Sequence, residues 1–174
     1  EPEGDGVRII ADTRLSPPNQ RRAFTCRYDY LVEPDGTLRL KVSGEPSDNW
    51  EDSDILLRIG LDLRLPGELS RVAWYGLGPG ESYPDTWEAQ RMGLWRGDVD
   101  HLSTPYVYPQ ENGSRSRTRW VTLADDRGRG LMVAGVPDIS FSARWQSVND
   151  LDEATHMHEV PRREHVFLSL DHAH

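Results

Sequence analysis

The sequence has little of what disulfide-rich, nucleic-acid-binding or membrane-spanning proteins require. Cys26 is the only cysteine among 174 residues, which excludes an intrachain disulfide and a thiolate metal cluster. No apolar run approaches the roughly 18 residues of a membrane helix, and the acidic start, 1–6, lacks the basic and apolar regions of a signal peptide. Lys41 is the only lysine, and the net charge of −9 would repel phosphate backbones. Neither nucleic acid nor a membrane is an expected partner.

The first residue is not methionine, so we expect the chain to be an excised piece of something longer. Its length fits one domain. We interpret residues 1–21 as an irregular lead-in and residues 22–174 as the domain itself. The stretch 45–54 also has the composition of a loop.

Short segments of alternating apolar and polar residues, separated by turn residues, dominate the chain and are typical of strands. Turns are predicted at 34–36, 126–128 and 137–138. One short helix is predicted after Asp85, with Glu88 completing a capping pair. Many strands with almost no helix indicate an all-β fold, a large antiparallel β-sandwich. The predicted strands are 24–31, 37–42, 55–65, 71–75, 118–123, 130–136, 139–145 and 166–170.

Two loop-like segments are dense in residues that could carry function. The segment 74–85 is rich in glycine but lacks the features of a phosphate-binding loop, so it indicates a strand that enters a tight turn. The segment 103–113 contains Tyr106 and Tyr108 framed by prolines, and Asn112-Gly113 is a turn signal. Such aromatic faces can stack on a sugar, although ordinary core or interface packing is the simpler explanation.

His156 and His158 lie two residues apart and would share one face of an extended segment. They could bind a metal ion with help from Asp150, Asp152, Glu153 or Glu159, but no third ligand occurs at a defined spacing. A solvated or hydrogen-bonded pair is the simpler interpretation. No two carboxylates are required to meet as a glycosidase pair, and no G-x-S-x-G elbow is present.

Taken in order, four segments resemble a known family. Residues 72–85 read VAWYGLGPGESYPD, residues 104–113 read TPYVYPQENG, residues 154–160 read ATHMHEV, and residues 168–171 read LSLD. Their order and spacing resemble the C-terminal, small-chain domain of bacterial β-galactosidases of glycoside hydrolase family 2. The resemblance covers residues 22–174.

The resemblance implies a galactose-mutarotase-like supersandwich that is not itself catalytic. The whole enzyme would hydrolyse terminal β-D-galactosides of the lactose type with retention, through glutamates of a separate (β/α)8 barrel. The expected partners are the remaining domains, the galactoside and further copies in a homo-oligomer, in the bacterial cytoplasm. No cofactor is expected in this chain, whereas the parent enzyme would use Mg²⁺ and Na⁺ or K⁺. A monovalent cation would contact backbone oxygens of Tyr108, Pro109, Leu151 and Ala154.

The chain ends before the Gly-rich segment and closing strands expected from the resemblance, so the sugar-contacting tryptophan of the family is not assigned here. The surface that faces the enzyme or the sugar is expected to contain Tyr106, Tyr108, Glu111, Asn112 and Arg115, and His156 and His158 are further candidates for it. Two alternatives remain open at this stage. One is a stand-alone carbohydrate-binding module. The other is an aldose-1-epimerase-like enzyme that uses His156 or His158 with a carboxylate.

Overall fold

The chain forms two compact units, residues 1–55 and residues 56–174. The computed structural model describes residues 2–3, 6–19, 21–48, 50 and 56–173. Almost all regular structure is antiparallel strand, arranged as one four-stranded and one six-stranded sheet. The predicted all-β class is therefore confirmed. Within the described residues, no helix is long and apolar enough to cross a membrane.

The first unit is a four-stranded sheet in the order β1-β2-β3-β4. The predicted hairpin at 34–36 is confirmed: β3 and β4 pair along their length, Gly36 takes a positive φ of 87°, and the Asp35 carboxylate accepts the Thr37 N–H at 2.8 Å. Its strands are β1 (Pro2–Glu3), β2 (Gly6–Leu15), β3 (Phe24–Val32) and β4 (Leu38–Pro46).

Strand β2 corrects the interpretation of residues 1–21 as an irregular lead-in. It pairs residue for residue with β3, from Val7 opposite Val32 to Leu15 opposite Phe24. Charged side chains of β2 form ion pairs with β3. For example, Arg8 Nη2 lies 2.6 Å from Asp29 Oδ2 across the β2–β3 ladder. Strand β4 likewise extends to Pro46, two residues into the stretch predicted as a loop, of which residues 49 and 51–54 lie outside the described part.

The second unit is a six-stranded antiparallel sheet in the order β5-β10-β9-β8-β6-β7. A short helix, α1 (Val148–Asp152), and three 3-10 helices lie in its connections, at Trp87–Ala89, Val99–His101 and Met157–Glu159. The strands are β5 (Ile59–Pro66), β6 (Arg71–Gly78), β7 (Arg91–Asp98), β8 (Arg115–Ala124), β9 (Gly130–Arg144) and β10 (His165–Ala173).

The helix predicted after Asp85 is wrong in its extent and its cap. The structure has a single 3-10 turn, Trp87–Ala89, preceded by Thr86, and no side chain caps it. The residues that follow form β7, which the sequence prediction missed. This strand pairs with β6 along its full length, including Leu94 opposite Tyr75. Long-range pairing therefore decides the conformation of a segment with only weak local preference.

The turn predicted at 137–138 is also wrong, because segments 130–136 and 139–145 form the single strand β9. Proline removes a ladder hydrogen bond and is tolerated in sheets at bulges. The register between β8 and β9 is interrupted between Thr118, opposite Ile139, and Trp120, opposite Ala134. Pro137 lies within that interruption, so the ladder does not need its missing N–H. Of the strand predicted at 55–65, Ile55 lies outside the described residues and β5 begins at Ile59.

One face of the six-stranded sheet forms the core of the second unit. On β6 the buried residues Val72 and Trp74 alternate with the more exposed Ala73 and Tyr75, as the period of two along a strand requires. The connecting segments supply further core side chains. The buried core contains Val72, Trp74, Val99, Leu102, Val121, Leu123, Phe141, Ala143, Trp145, Val166 and Leu168.

Candidate functional site

The Gly-rich segment after β6 and the start of β8 are joined by serine hydrogen bonds. The Ser82 N–H donates to the Ser114 carbonyl at 2.8 Å, and the Ser116 N–H donates to Ser82 Oγ at 2.8 Å. All three serines are buried. The end of the segment 74–85 is thus fixed against β8. This places Glu81 and Tyr83, on either side of Ser82, beside the loop 103–113.

Glu81 holds the middle and the end of the loop 103–113. The Tyr106 hydroxyl donates to Glu81 Oε1, and the Gly113 N–H donates to Glu81 Oε2 at 2.9 Å. Both oxygens of this half-buried carboxylate therefore accept from the loop. In the sequence, only its position in a Gly-rich segment distinguishes Glu81, so its role was not predictable.

Glu111 connects the loop to three other parts of the second unit. The Tyr83 hydroxyl donates to Glu111 Oε2 at 2.7 Å, and Arg144 Nη1 donates to Oε1 at 2.7 Å. Arg58 Nη1 lies 3.7 Å from the same Oε1 and pairs with Asp171 of β10 at 3.0 Å. Tyr83, Arg144, Arg58 and Asp171 were all missed from the sequence, because their partners are far away along the chain.

Asn112 and Gly113, where the sequence predicted a turn, end the loop. Gly113 has a φ of 79°, and a Cβ on it would lie 2.7 Å from the Leu102 carbonyl oxygen. The Asn112 side chain accepts the Thr104 N–H at 3.0 Å and donates to the Gln110 carbonyl at 2.9 Å. Asn112 is 5% exposed, so it acts inside the loop and not on its surface.

Arg115 also lies inside the unit. Its Nη1 donates to the carbonyls of Leu102 and Gly113, both at 2.6 Å, and its guanidinium stands over the Trp74 ring at 5.6 Å. Burial lowers the pKa of Arg115 to about 10, partly offset by the charge of Glu81. The structure thus places Arg115 beneath the loop, where it ties backbone carbonyls together.

The tip of the loop is exposed although its base is held firmly. Val107 is 95% exposed and Tyr108 is 61% exposed, whereas the following Pro109 is buried. Tyr106 is half-buried against Glu81. The structure therefore brings Tyr106, Glu111, Asn112 and Arg115 together as a support, and it presents Val107 and Tyr108 to the outside.

The tyrosine–carboxylate pairs of this site give a pH dependence at high pH. The hydrogen bond to Glu81, with desolvation second, raises the pKa of Tyr106 to about 12, against about 10 for an unfolded tyrosine. Because the folded pKa is the higher one, the stabilising contribution is complete below pH 10 and is lost as pH rises towards 12. We expect the free energy of unfolding to fall as pH rises above about 10. The fall per pH unit should be smaller for Tyr106→Phe, as measured by urea titration at each pH. Equal slopes in both proteins would contradict this assignment.

His156 and His158 lie on the surface near α1, with ring centroids 5.4 Å apart. His156 Nδ1 is 3.2 Å from Glu159 Oε1. The backbone N–H of Thr155, followed by the His156 side chain, lowers the pKa of Glu159 to about 2 by hydrogen bonding to its carboxylate. Among the residues that the structure describes, no three His, Cys, Asp or Glu side chains form a metal-binding group. His156 is thus hydrogen-bonded and both histidines are exposed, and their role in binding stays a prediction.

The residues proposed for a monovalent cation fall in two segments of the second unit. Pro109, Leu151 and Ala154 are buried, and Tyr108 is exposed. Leu151 belongs to α1, whose N-terminus is closed by a capping box between Ser147 and Asp150. The cation site stays a prediction.

A family match and three of the most similar relatives all concern β-galactosidases. The family described as "Beta galactosidase small chain" matches residues 2–174. A protein named β-galactosidase from Arthrobacter sp. (strain B7) is 36% identical over 180 residues, covering 95% of this chain and 18% of that protein. The β-galactosidase of Priestia megaterium is 28% identical, covering 98% of this chain and 16% of the relative. The β-galactosidase of Lactobacillus delbrueckii subsp. bulgaricus is 38% identical over 128 residues, covering 74% of this chain and 12% of that protein.

Proposed function

Because this chain belongs to the β-galactosidase small-chain family, we propose that it acts as a non-catalytic domain of a β-galactosidase that cleaves terminal, lactose-type β-D-galactosides with retention. One observation carries the proposal: the family match extends over residues 2–174, while the chain spans only about 12–18% of the length of the relatives just described. Most of such an enzyme, including its catalytic glutamates, would thus lie outside the matched segment.

The geometry of the candidate site supports a structural role. A retaining glycosidase needs one carboxylic acid to protonate the leaving group and one carboxylate as nucleophile. Both oxygens of Glu81 accept bonds from the loop, and both oxygens of Glu111 accept bonds from Tyr83 and Arg144. Asp171 is engaged by Arg58. Carboxylates that are committed to internal donors in this way hold a loop in position and are poorly placed to attack a sugar.

The exposed tip at Val107 and Tyr108 is the proposed contact with the rest of the enzyme or with the rim of its sugar site. Its base is fixed by Glu81, Asn112 and Arg115, so binding would cost little ordering entropy. A rigid loop with an apolar and an aromatic side chain at its tip suits a protein interface or a sugar face.

Further partners follow from the same proposal. The remaining domains of the enzyme, a galactoside and further copies in a homo-oligomer would complete the active protein in the bacterial cytoplasm. Mg²⁺ and Na⁺ or K⁺ are proposed for the parent enzyme, and the backbone oxygens of Tyr108, Pro109, Leu151 and Ala154 are the candidates in this chain.

Hydrolysis of a chromogenic β-galactoside tests the proposal. The purified 174-residue chain is expected to show no turnover above buffer. When it replaces the matched segment of the Arthrobacter enzyme, the chimera is expected to be active, because 36% identity over that segment preserves the fold.

Two variants of the chimera test whether the loop tip contributes to activity. Tyr108→Ala is expected to lower turnover or raise KM by about tenfold, an ordinary loss for one buried interface aromatic. Val136→Ala, at a position that is 92% exposed, is the matched control and is expected to change neither. Turnover by the isolated chain that survives repurification would show that the domain carries its own acid and nucleophile, and the proposal would be wrong.

A further inference from the structure

The face of the six-stranded sheet opposite the core is partly exposed and carries both aromatic and polar side chains. On β6 and β8 the register pairs Ala73 with Thr122 and Tyr75 with Trp120. These residues alternate with buried ones such as Val121, so all four side chains project from the non-core face. Tyr75 is 39% exposed, and Trp120 is half-buried.

A groove with a volume of about 430 Å³ lies on this face, across β6, β7 and β8. That volume is in the range of small-ligand sites. Its floor is low because small residues form it: Ala73, Gly97 and Ala124. Its polar walls consist of Arg71, Arg96, Asp98, Thr122 and Asp126.

The walls offer both donors and acceptors. Arg71 Nε donates to Asp126 Oδ1 at 2.6 Å, and the Asp98 carboxylate accepts from Ser70 Oγ at 3.1 Å. Arg96 is exposed and pairs with no carboxylate among the residues that the structure describes. The two arginines and two aspartates balance in charge, so the groove attracts neither an anion nor a cation strongly. Such a set suits hydroxyl groups, each of which can donate and accept at once.

The aromatic pair lies immediately beside these polar groups. Tyr75 and Trp120 are direct partners one pleat repeat from Ala73 and Thr122, which places them about 7 Å further along the strands. Directly opposed side chains have Cβ atoms about 5 Å apart. The face therefore combines aromatic surface, a shallow floor and balanced polar groups in one line.

We propose that this groove is a carbohydrate-binding site for a neutral mono- or disaccharide, separate from any catalytic centre. The sugar ring packs on Tyr75 and Trp120, and its hydroxyls bond to Arg96 and Thr122, which flank Ala73 next to this pair. The choice of galactosides as probes rests on the proposed function, whereas the site itself rests on the groove. An open groove of this kind gives weak, millimolar binding.

Titration of the labelled 174-residue chain with lactose and with galactose, followed by amide NMR and tryptophan fluorescence, tests the site. We expect saturable shifts at Ala73 and Thr122 and a change in Trp120 emission. Arg96→Gln and Tyr75→Ala are each expected to weaken binding by about tenfold. Ala73→Leu fills the floor without changing charge and is expected to abolish binding.

Two matched controls separate the groove from general effects. Arg21→Gln removes one exposed arginine of the first unit, and Val136→Ala trims a side chain that is 92% exposed outside the groove; both variants are expected to bind the sugar normally. Non-saturating shifts, or equal weakening by Arg96→Gln and Arg21→Gln, would overturn the proposal. Loss of binding with Tyr108→Ala, together with normal binding by the groove variants, would place the site at the loop tip and overturn the groove. Binding of galacturonate ten times tighter than galactose would overturn the assignment to a neutral sugar.

The experiments can reject the sugar-binding groove without rejecting the proposed domain function, and the reverse. An active chimera with no sugar binding to the isolated chain would retain the domain assignment and remove only the groove. Turnover by the isolated chain would remove the domain assignment whatever the groove binds.

Discussion

Trp74→Ala is expected to destabilise the second unit by about 4 kcal/mol. Trp74 is 1% exposed, its ring packs edge-on against Phe141 at a centroid distance of 5.7 Å, and its Nε1 donates to the Leu77 carbonyl at 2.9 Å. Truncation removes the transfer free energy of the largest core side chain and leaves a cavity, which together cost about 3–5 kcal/mol. The Arg115 guanidinium over the ring also loses its partner, so we expect the loop 103–113 to loosen as well.

Urea unfolding followed by tryptophan fluorescence measures this effect, since five of the six tryptophans lie in residues 56–174. The adjacent Tyr75→Ala is the comparison, because its side chain projects to the other face of the sheet. That change is expected to cost about 1 kcal/mol or less. Similar losses for the two variants would show that the core does not lie on the Trp74 face.

Arg144→Met is expected to cost the second unit about 3 kcal/mol. The Arg144 side chain is 1% exposed and lies 2.7 Å from Glu111 Oε1, and the same Nη1 donates to the Asn112 carbonyl at 2.6 Å. The change removes one donor from the partly buried Glu111 carboxylate, which keeps its bond from Tyr83, and removes the Arg144 donor from the Asn112 carbonyl; breaking a buried pair in this way costs several kcal/mol. Glu111 is 21% exposed, so water recovers some of the loss.

Arg129→Met is the matched control, because Arg129 pairs with Asp125 at 2.8 Å but is 73% exposed. Exposed pairs contribute about 1 kcal/mol or less. The denaturation midpoint should therefore fall clearly for Arg144→Met and hardly at all for Arg129→Met, with unchanged slopes. Limited proteolysis should also cut near Val107 sooner in Arg144→Met. An equal midpoint for the two variants would mean that Glu111 is held by Tyr83 and Arg58 alone.

Strands with clear alternation were predictable from the sequence, and others were not. The hairpin at 34–36 combines a strong turn signal with two alternating runs, and both local signals agree with the fold. Strand β7 has glycines and arginines in place of a β-rich pattern, yet it is fixed by pairing with β6. Pro137 signalled a turn, but it lies where the ladder between β8 and β9 is already interrupted.

The candidate site was predicted only in part for a similar reason. The loop 103–113 was recognisable because aromatic residues, prolines and turn-forming residues occur together. Glu81 and Arg144 were not, since neither residue type nor spacing indicates that they meet this loop. Asn112 and Arg115 were expected at a surface, but each satisfies backbone groups of the loop from inside.

The sequence by itself determined the all-β class, the turn at Gly36 and the motifs that identify the family, because these depend on local alternation, on a backbone conformation that favours glycine, and on residue order. Only the tertiary structure decided which strands are neighbours, which carboxylates are committed to arginine and tyrosine, and which aromatic side chains face outward. Those properties depend on contacts between residues far apart in the chain, where burial and pairing outweigh local preference.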